Sequence, residues 1–398
     1  MFTKRILILL AVASALGPIG MQILLPAIPI IKQHFLVSTE IAQLTLSLSM
    51  LSIAFGTLFY GPLADQFGRK PVLLLSLMIT VLGSVLCYFA LTIELLILSR
   101  VIQSFGGAGG LVLARAIIRD VYGADDAARV IATLVMVMVV LPMLSPALGG
   151  ELSARFGWRS VFIVVACLSS VVLLLSQSLL SETLRERQQF SGIRPFLRSF
   201  SSLMHSPAFR GYSLCVAFVS VVFFSFIAGA PEIMISTFER PPTEYGYYFV
   251  IVTTGFILGN EVARRFGKKF GVERMIRFGV SVSIFGILIA IGSQLTGIKH
   301  PLILFAPVAL TIFGNGVTLP NAQASAINEF PQLAGTASGL TGFLQMAFSA
   351  LFAQLVSIVF NGTAYPLLLI MLFASIASLY FFTTSMKQAV ATKPKAPA

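Results

Sequence analysis

Charge is what this chain has least of. Only 11% of its 398 residues are charged, against the roughly 25% of an ordinary soluble domain, which excludes a soluble globular protein. Acid is scarcer still, with 15 Asp and Glu against 27 Lys and Arg and a formal net charge of +12. In a soluble chain that excess would point to nucleic acid. Here the bases gather between long apolar runs, so the anionic face of a lipid bilayer is the expected partner and nucleic acid is not. Cysteine and histidine number three each. Cys87, Cys167 and Cys215 lie inside apolar runs and read as buried small hydrophobes, while His34, His205 and His300 are far apart near run ends. Neither a disulfide framework nor a metal set is legible, and no metal or cofactor is expected. No Gly-x-x-x-x-Gly-Lys loop is present to bind ATP. Clustered histidines, a Ser–His pair, paired carboxylates and a large soluble domain are missing too, which leaves a membrane enzyme or sensor without support. Short alternating strands, the mark of a membrane barrel, do not occur.

What is present is apolar sequence, 57% of the chain, in runs of about 20 residues, enough for a helix to cross about 30 Å of hydrocarbon. We count spans at 6–31, 41–60, 71–93, 95–114, 130–150, 159–181, 208–231, 246–263, 275–295, 301–325, 335–360 and 364–385. Lys4, Arg5 and Ala13-Ser-Ala15 look like a signal peptide, but the apolar run continues to Ile31 and reads as an uncleaved first helix. The longest polar break divides the chain into a six-helix bundle at 1–181, a linker at 182–207, a second six-helix bundle at 208–386 and a basic tail at 387–398. The linker holds Arg185, Arg187, Arg194 and Arg198, and Lys393 and Lys395 lie in the tail. With the N-terminus in the cytoplasm, 21 Lys and Arg fall inside and five outside, so both termini are expected to be cytoplasmic.

The stretch Gly61-Pro-Leu-Ala-Asp-Gln-Phe-Gly-Arg-Lys70 is a short charged turn between two of these runs. Gly61 and Gly68 are expected to let the backbone bend tightly, while Asp65, Arg69 and Lys70 require partners or water. A weaker copy, Asn260-Glu-Val-Ala-Arg-Arg-Phe-Gly-Lys-Lys269, lies 199 positions later. Repeated halves around a central site are the plan of many secondary transporters.

The first of these loops resembles the signature loop of the major facilitator superfamily. Arg100-Val-Ile-Gln-Ser-Phe-Gly-Gly-Ala-Gly-Gly110 resembles that family's fourth-helix motif, and Leu141-Pro-Met-Leu-Ser-Pro-Ala-Leu-Gly-Gly150 the fifth-helix motif associated with proton antiporters. Arg115-Ala-Ile-Ile-Arg-Asp120, Phe156-Gly-Trp-Arg-Ser-Val-Phe162, Leu319-Pro-Asn-Ala322 and Gly335-Thr-Ala337 resemble the bicyclomycin and chloramphenicol resistance branch of drug exporters. The resemblance covers nearly the whole chain, and the motifs stand in order. It implies an all-α fold of twelve membrane helices in two pseudo-symmetric six-helix bundles. It also implies alternating access, export of small organic molecules or drugs across a bacterial inner membrane, exchange for protons, and a monomer. The rival within the class is a dedicated carrier of one metabolite, such as a siderophore or an organic anion.

Particular residues follow. The resemblance implies that Asp65 faces the start of span eleven near Gly335 and Thr336, where a carboxylate meets a positive helix end. Arg69 is a candidate partner for Asp120. Together they form either an inner gate or a plain loop latch. Arg100 shares a helix face with Gln103 and Gly107. It either answers charge in the transport cavity or satisfies backbone carbonyls of a neighbouring helix. Pro142, Pro146, Gly149 and Gly150 make span five a bent, small-faced helix, expected to pack against the other half. Gln22, Asn315, Asn321 and Gln345, with Thr318 and Gln323, are candidate cavity groups. Phe218, Phe223, Phe224 and Phe226 give span seven an aromatic surface. Relatives in this branch carry an acid where this chain has Gln22, and an amide cannot cycle a proton. Either another carboxyl couples the proton, with Glu232, which a break at Pro231 would turn inward, and Glu151 as candidates, or the cycle uses no dedicated span acid.

Overall fold

The computed structural model describes residues 4–184, 200–241 and 244–392, and the side chains of these except 123–140, 268, 331 and 390–392. Arg185, Arg187, Arg194 and Arg198 of the expected linker, and Lys393 and Lys395 of the tail, lie outside the described residues. The chain divides into two compact units. One is Met1–Phe190 with Ala230–Ile235 and Arg240–Phe249; the other is Ser191–Gly229, Ser236–Glu239 and Val250–Ala398. Among the described residues every regular element is a helix, and ten helices are long and apolar enough to cross a membrane.

The first unit begins with α1 (Lys4–Gln22), a single 3-10 turn at Leu25–Ala27 and α2 (Ile28–Phe35). The first span is thus broken rather than continuous, because Pro26 and Pro29 each remove a backbone donor and suit the opening of a new helical segment. Helix α3 (Thr39–Phe67), capped by the Ser38 side chain, and α4 (Arg69–Tyr88) follow, separated by Gly68. Then comes α5 (Ile93–Phe156), and α6 (Ser160–Leu179) closes the unit's main run.

The 64 residues of α5 contain both expected spans four and five. A straight helix would set Gly107 and Gly149 about 63 Å apart. Yet Gly107 lies against the Gly17 backbone and Gly149 against the Ile23 carbonyl, six residues further along the chain. The segment therefore folds back as two arms on α1 and the turn that follows it. Its two ends also meet at one level, since Arg159 donates to the carbonyls of Tyr88 (3.2 Å) and Ala90 (3.0 Å), beside the start of α5. Glycine makes the approach possible. A Cβ at Gly110 would strike the Ala13 carbonyl, and one at Gly106 would strike the Ser76 and Thr80 backbone of α4.

The second unit carries most of α7 (Pro207–Ser236) and α8 (Tyr245–Phe270), then α9 (Val272–Gln294), α10 (Leu302–Asn328), α11 (Ala334–Ile358) and α12 (Tyr365–Thr392). Helix α8 falls outside the ten strongly apolar helices, because Tyr245, Tyr247, Tyr248, Asn260 and Glu261 lower its hydropathy. Its core includes Cys215, Val216, Ile276, Val280, Ala322 and Phe382. Phe218 stacks on Phe381 and meets Phe348, Phe352 and Phe373 edge-on, and Phe226 meets Phe305. These rings are spent on helix packing. Cys87 and Cys215 are buried as expected; Cys167 is exposed instead.

Two bends correct the sequence reading. Gly61 is no turn residue: α3 runs helically through it to Phe67, and open space surrounds its Cβ position. Only Gly68, at φ +107°, makes the corner. In the second unit the matching corner is Gly271, at φ +83°. The sequence copy places it at Gly267, which is helical, so the corner falls four residues later, one helical turn.

A candidate gate and buried arginine in the first unit

The corner at Gly68 positions a charged cluster. Arg69 is the first residue of α4, and its guanidinium donates to Asp120 on α5 at 2.9 Å and pairs with Asp65 one turn earlier on α3 at 2.6 Å. Only 11% of the Arg69 side chain is exposed, so the fork is held between its two acids. Thr183 donates its hydroxyl to the same Asp120 oxygen at 3.4 Å. Lys70 reaches the Gln177 carbonyl at 2.9 Å.

Glu182 completes this cluster, and sequence reasoning missed it. Its carboxylate accepts from the backbone N–H groups of Arg69 (2.9 Å) and Lys70 (3.2 Å), and from Thr183 and Leu184 (both 2.9 Å). Helix α4 has no side-chain cap from Gly68, so an acid from the chain beyond α6 does that work. Partial burial raises the Glu182 carboxyl as the largest single influence. The backbone donors led by Leu184 and Arg69 outweigh it and hold the group below the ordinary carboxylate range. A side chain at Gly68 would run into this carboxylate, a second reason for glycine there. The only sequence signal was a lone acid just past an apolar run, more than 110 residues from Arg69 and Lys70.

Arg100 lies at the heart of the unit, 1% exposed. It donates to the Gly20 carbonyl of α1 at 3.0 Å, to the Thr45 carbonyl of α3 at 3.4 Å, and to Oε1 of Gln103. Gln103 in turn donates to Ser84 on α4 at 2.7 Å. Of the two expected uses, carbonyl satisfaction is realised for part of the fork. The other part is open: Nη2 of Arg100 is buried without a hydrogen-bond partner, as are Oε1 of Gln22 and Nε2 of Gln43. No carboxylate pairs with Arg100 among the described residues. A buried cation with an unused donor is costly unless water or a ligand oxygen reaches it.

The two candidate coupling acids also belong to this unit. Glu232 does not sit at a break, because α7 continues through Pro231 to Ser236. Its carboxylate meets the Lys32 ammonium at 2.5 Å, and Lys32 also donates to Thr39 at 3.0 Å. Glu151 pairs with Arg155 at 2.9 Å and accepts from the Tyr247 hydroxyl. Pro142 and Pro146 lie inside α5; Gly149 seats the Ile23 carbonyl just beyond α1, and Gly150 is buried beside it. The small face of span five was expected to meet the other half, and part of it is used up within its own.

In the second unit the expected cavity groups separate. Asn315 is 3% exposed and committed: it donates to the Val219 carbonyl at 3.1 Å and accepts from Ser283 at 3.2 Å. Asn321 bonds back to the Val317 carbonyl at 2.8 Å, and Thr318 to that of Gly314 at 2.9 Å. Asn315 thus ties α10 to α7 and α9, whereas Asn321 and Thr318 bond within α10 itself. Gln323 and Gln345 are half-buried and bond to each other at 3.3 Å across α10 and α11.

Comparison with known proteins adds a frame. A family model described as the Major Facilitator Superfamily matches residues 10–353. A bicyclomycin resistance protein homolog of Haemophilus influenzae is 29% identical, over 94% of this chain and 95% of its own length. Multidrug resistance protein D of Escherichia coli is 27% identical over 88% of each chain. In fold, the chain resembles a bacterial homolog of the human lysosomal transporter Spinster, with a TM-score of 0.72 at 17% identity and full coverage of both chains.

Proposed function

Because the chain belongs to the Major Facilitator Superfamily, we propose that it exports small organic molecules or drugs across a bacterial inner membrane by alternating access. Membership makes it a multi-pass membrane transporter. The names of its drug-resistance relatives support the cargo class. The bundles take residues 1–181 and 208–386, joined by 182–207 and followed by a tail at 387–398, with both termini cytoplasmic and the monomer as working unit. The lysine and arginine asymmetry supports that orientation.

The observation that carries the reading is Arg100, a fully buried cation with Nη2 unpartnered and two unpartnered amide atoms, from Gln22 and Gln43, in the same unit. These are unspent polar atoms in an apolar bundle: the Arg100 and Gln43 donors suit oxygens of a cargo, and the Gln22 oxygen suits an N–H or O–H. The Asp65–Arg69–Asp120 cluster with Glu182 is the inner gate. Its energy comes from contacts that hold α3, α4, α5 and the end of α6 together, so its opening costs several charge-assisted hydrogen bonds at once. Exchange for protons then falls to Glu232 or Glu151. For Glu232 the contact with Lys32 must open during the cycle. The test is growth on a drug panel with and without the gene, followed by transport into everted vesicles. Protection against several unrelated drugs supports export; protection against none, with uptake of one nutrient, refutes it. A dedicated carrier of an organic anion is the second reading, favoured by the absence of a carboxylate beside Arg100 among the described residues.

A further inference from the structure

We propose that the second unit binds an anionic phospholipid where α8 meets α9. A cavity of about 370 Å³ lies there, lined by Val262, Phe266, Phe270, Arg274, Met275 and Phe278. It is at the lower end of the size range for small-molecule sites, and it takes part of an acyl chain rather than a cargo. Its walls are apolar apart from Arg274. Phe266, Phe270 and Phe278 are between 41% and 50% exposed, so the cavity opens outward from the helices and not into their core.

Charge selects the headgroup. The corner around Gly271 is basic, and three of its cations are already answered. Arg264 and Arg265 pair with Glu261, and Arg277 with Glu273. Arg274 lines the cavity and has no acidic partner among the described residues. Lys269 lies with its ammonium 5.6 Å from the Phe270 ring centre, likewise with no acid. Arg274 in the lining and Lys269 beside the Phe270 ring together fit a lipid phosphate with its chain in the groove. A neutral or zwitterionic lipid fills the groove equally well but leaves the cations without a net negative partner. Only the choice of leaflet, the cytoplasmic one, rests on the orientation proposed above.

The test uses the full-length protein purified in detergent, with native mass spectrometry counting bound phosphatidylglycerol against phosphatidylethanolamine. The wild type should retain phosphatidylglycerol preferentially, and Arg274→Gln and Lys269→Gln should each lower that preference about fivefold. Arg277→Gln removes the same charge from an acid-paired site and should leave it unchanged. A wild type without preference overturns the proposal. So does an equal loss in Arg277→Gln, which would mean a diffuse response to net charge. Phe278→Trp gives a local readout: bromine on the chains of phosphatidylglycerol should quench it more than bromine on those of phosphatidylethanolamine, and equal quenching refutes the site. Labelling of Glu273→Cys by an impermeant maleimide in right-side-out vesicles would refute the orientation while leaving the lipid preference standing.

Discussion

Replacing Glu182 with glutamine isolates one carboxylate at the corner of the signature stretch. Its Oε1 takes the N–H groups of Arg69, Thr183 and Leu184, and its Oε2 that of Lys70. Glutamine keeps one oxygen, turns an NH2 toward a donor, and removes the charge from the N-terminus of α4. A charge at a helix start contributes about 0.3–1 kcal/mol, and a hydrogen bond to a charged acceptor about 1.5 kcal/mol. Glu182 is exposed to solvent, so screening reduces the total, and we expect a loss of about 1 kcal/mol, roughly fivefold in an equilibrium. The pH dependence carries the distinctive sign. The folded carboxyl is held below its ordinary range. Its contribution is therefore fully present above the unfolded value of about 4.3 and is lost as pH falls through the lower folded value. Thermal inactivation of the purified protein should be faster in Glu182→Gln at pH 7, and the two proteins should converge as pH falls through the lowered folded value. A difference that persists unchanged at low pH, or no difference at pH 7, refutes the carboxylate as the cap.

Arg100→Ala should abolish transport at normal membrane abundance, and Arg100→Lys should restore little, since one ammonium cannot reach Gly20, Thr45 and Gln103 together; full transport in Arg100→Ala would reduce the residue to a packing role. Gly61→Ala should be tolerated or stabilise by up to about 1 kcal/mol, because the position is helical with open space about it, whereas Gly110→Val should prevent stable folding by driving its side chain into the Ala13 backbone; comparable protein yields from the two variants would contradict the packing of α5 on α1. Glu232→Gln should lose pH-driven transport yet still exchange cargo down its gradient, and an unchanged pH profile would remove it from coupling. Gln22→Asp should add or steepen a pH dependence if that position faces the transport path, and a flat profile would place it elsewhere.

The helical class was legible because hydropathy over 20 residues is a strong, local signal. Where it misled, a local cause is visible. Pro26 and Pro29 split the first span, and the Pro231 position was read as a break that α7 does not make. The repeat of the signature stretch was found by residue identity, but the corner follows φ, and of Gly267 and Gly271 it is the latter that adopts the positive value. Partners of polar groups were the least legible. Nothing in the order of residues reveals that Asn315 is used by Val219 and Ser283, or that Glu182 caps α4. Those pairings depend on which helices lie side by side. Arg100 stood out from sequence alone because a charge deep in an apolar run has few places to go.

Transport by everted vesicles bearing this protein tests the account most directly. With a drug panel outside, a pH gradient imposed and ATP absent, the account predicts accumulation of several unrelated lipophilic drugs that collapses when the gradient is dissipated and is lost in Arg100→Ala. Accumulation that requires ATP, or no gradient-driven accumulation of any drug in vesicles where the protein is abundant, would contradict it.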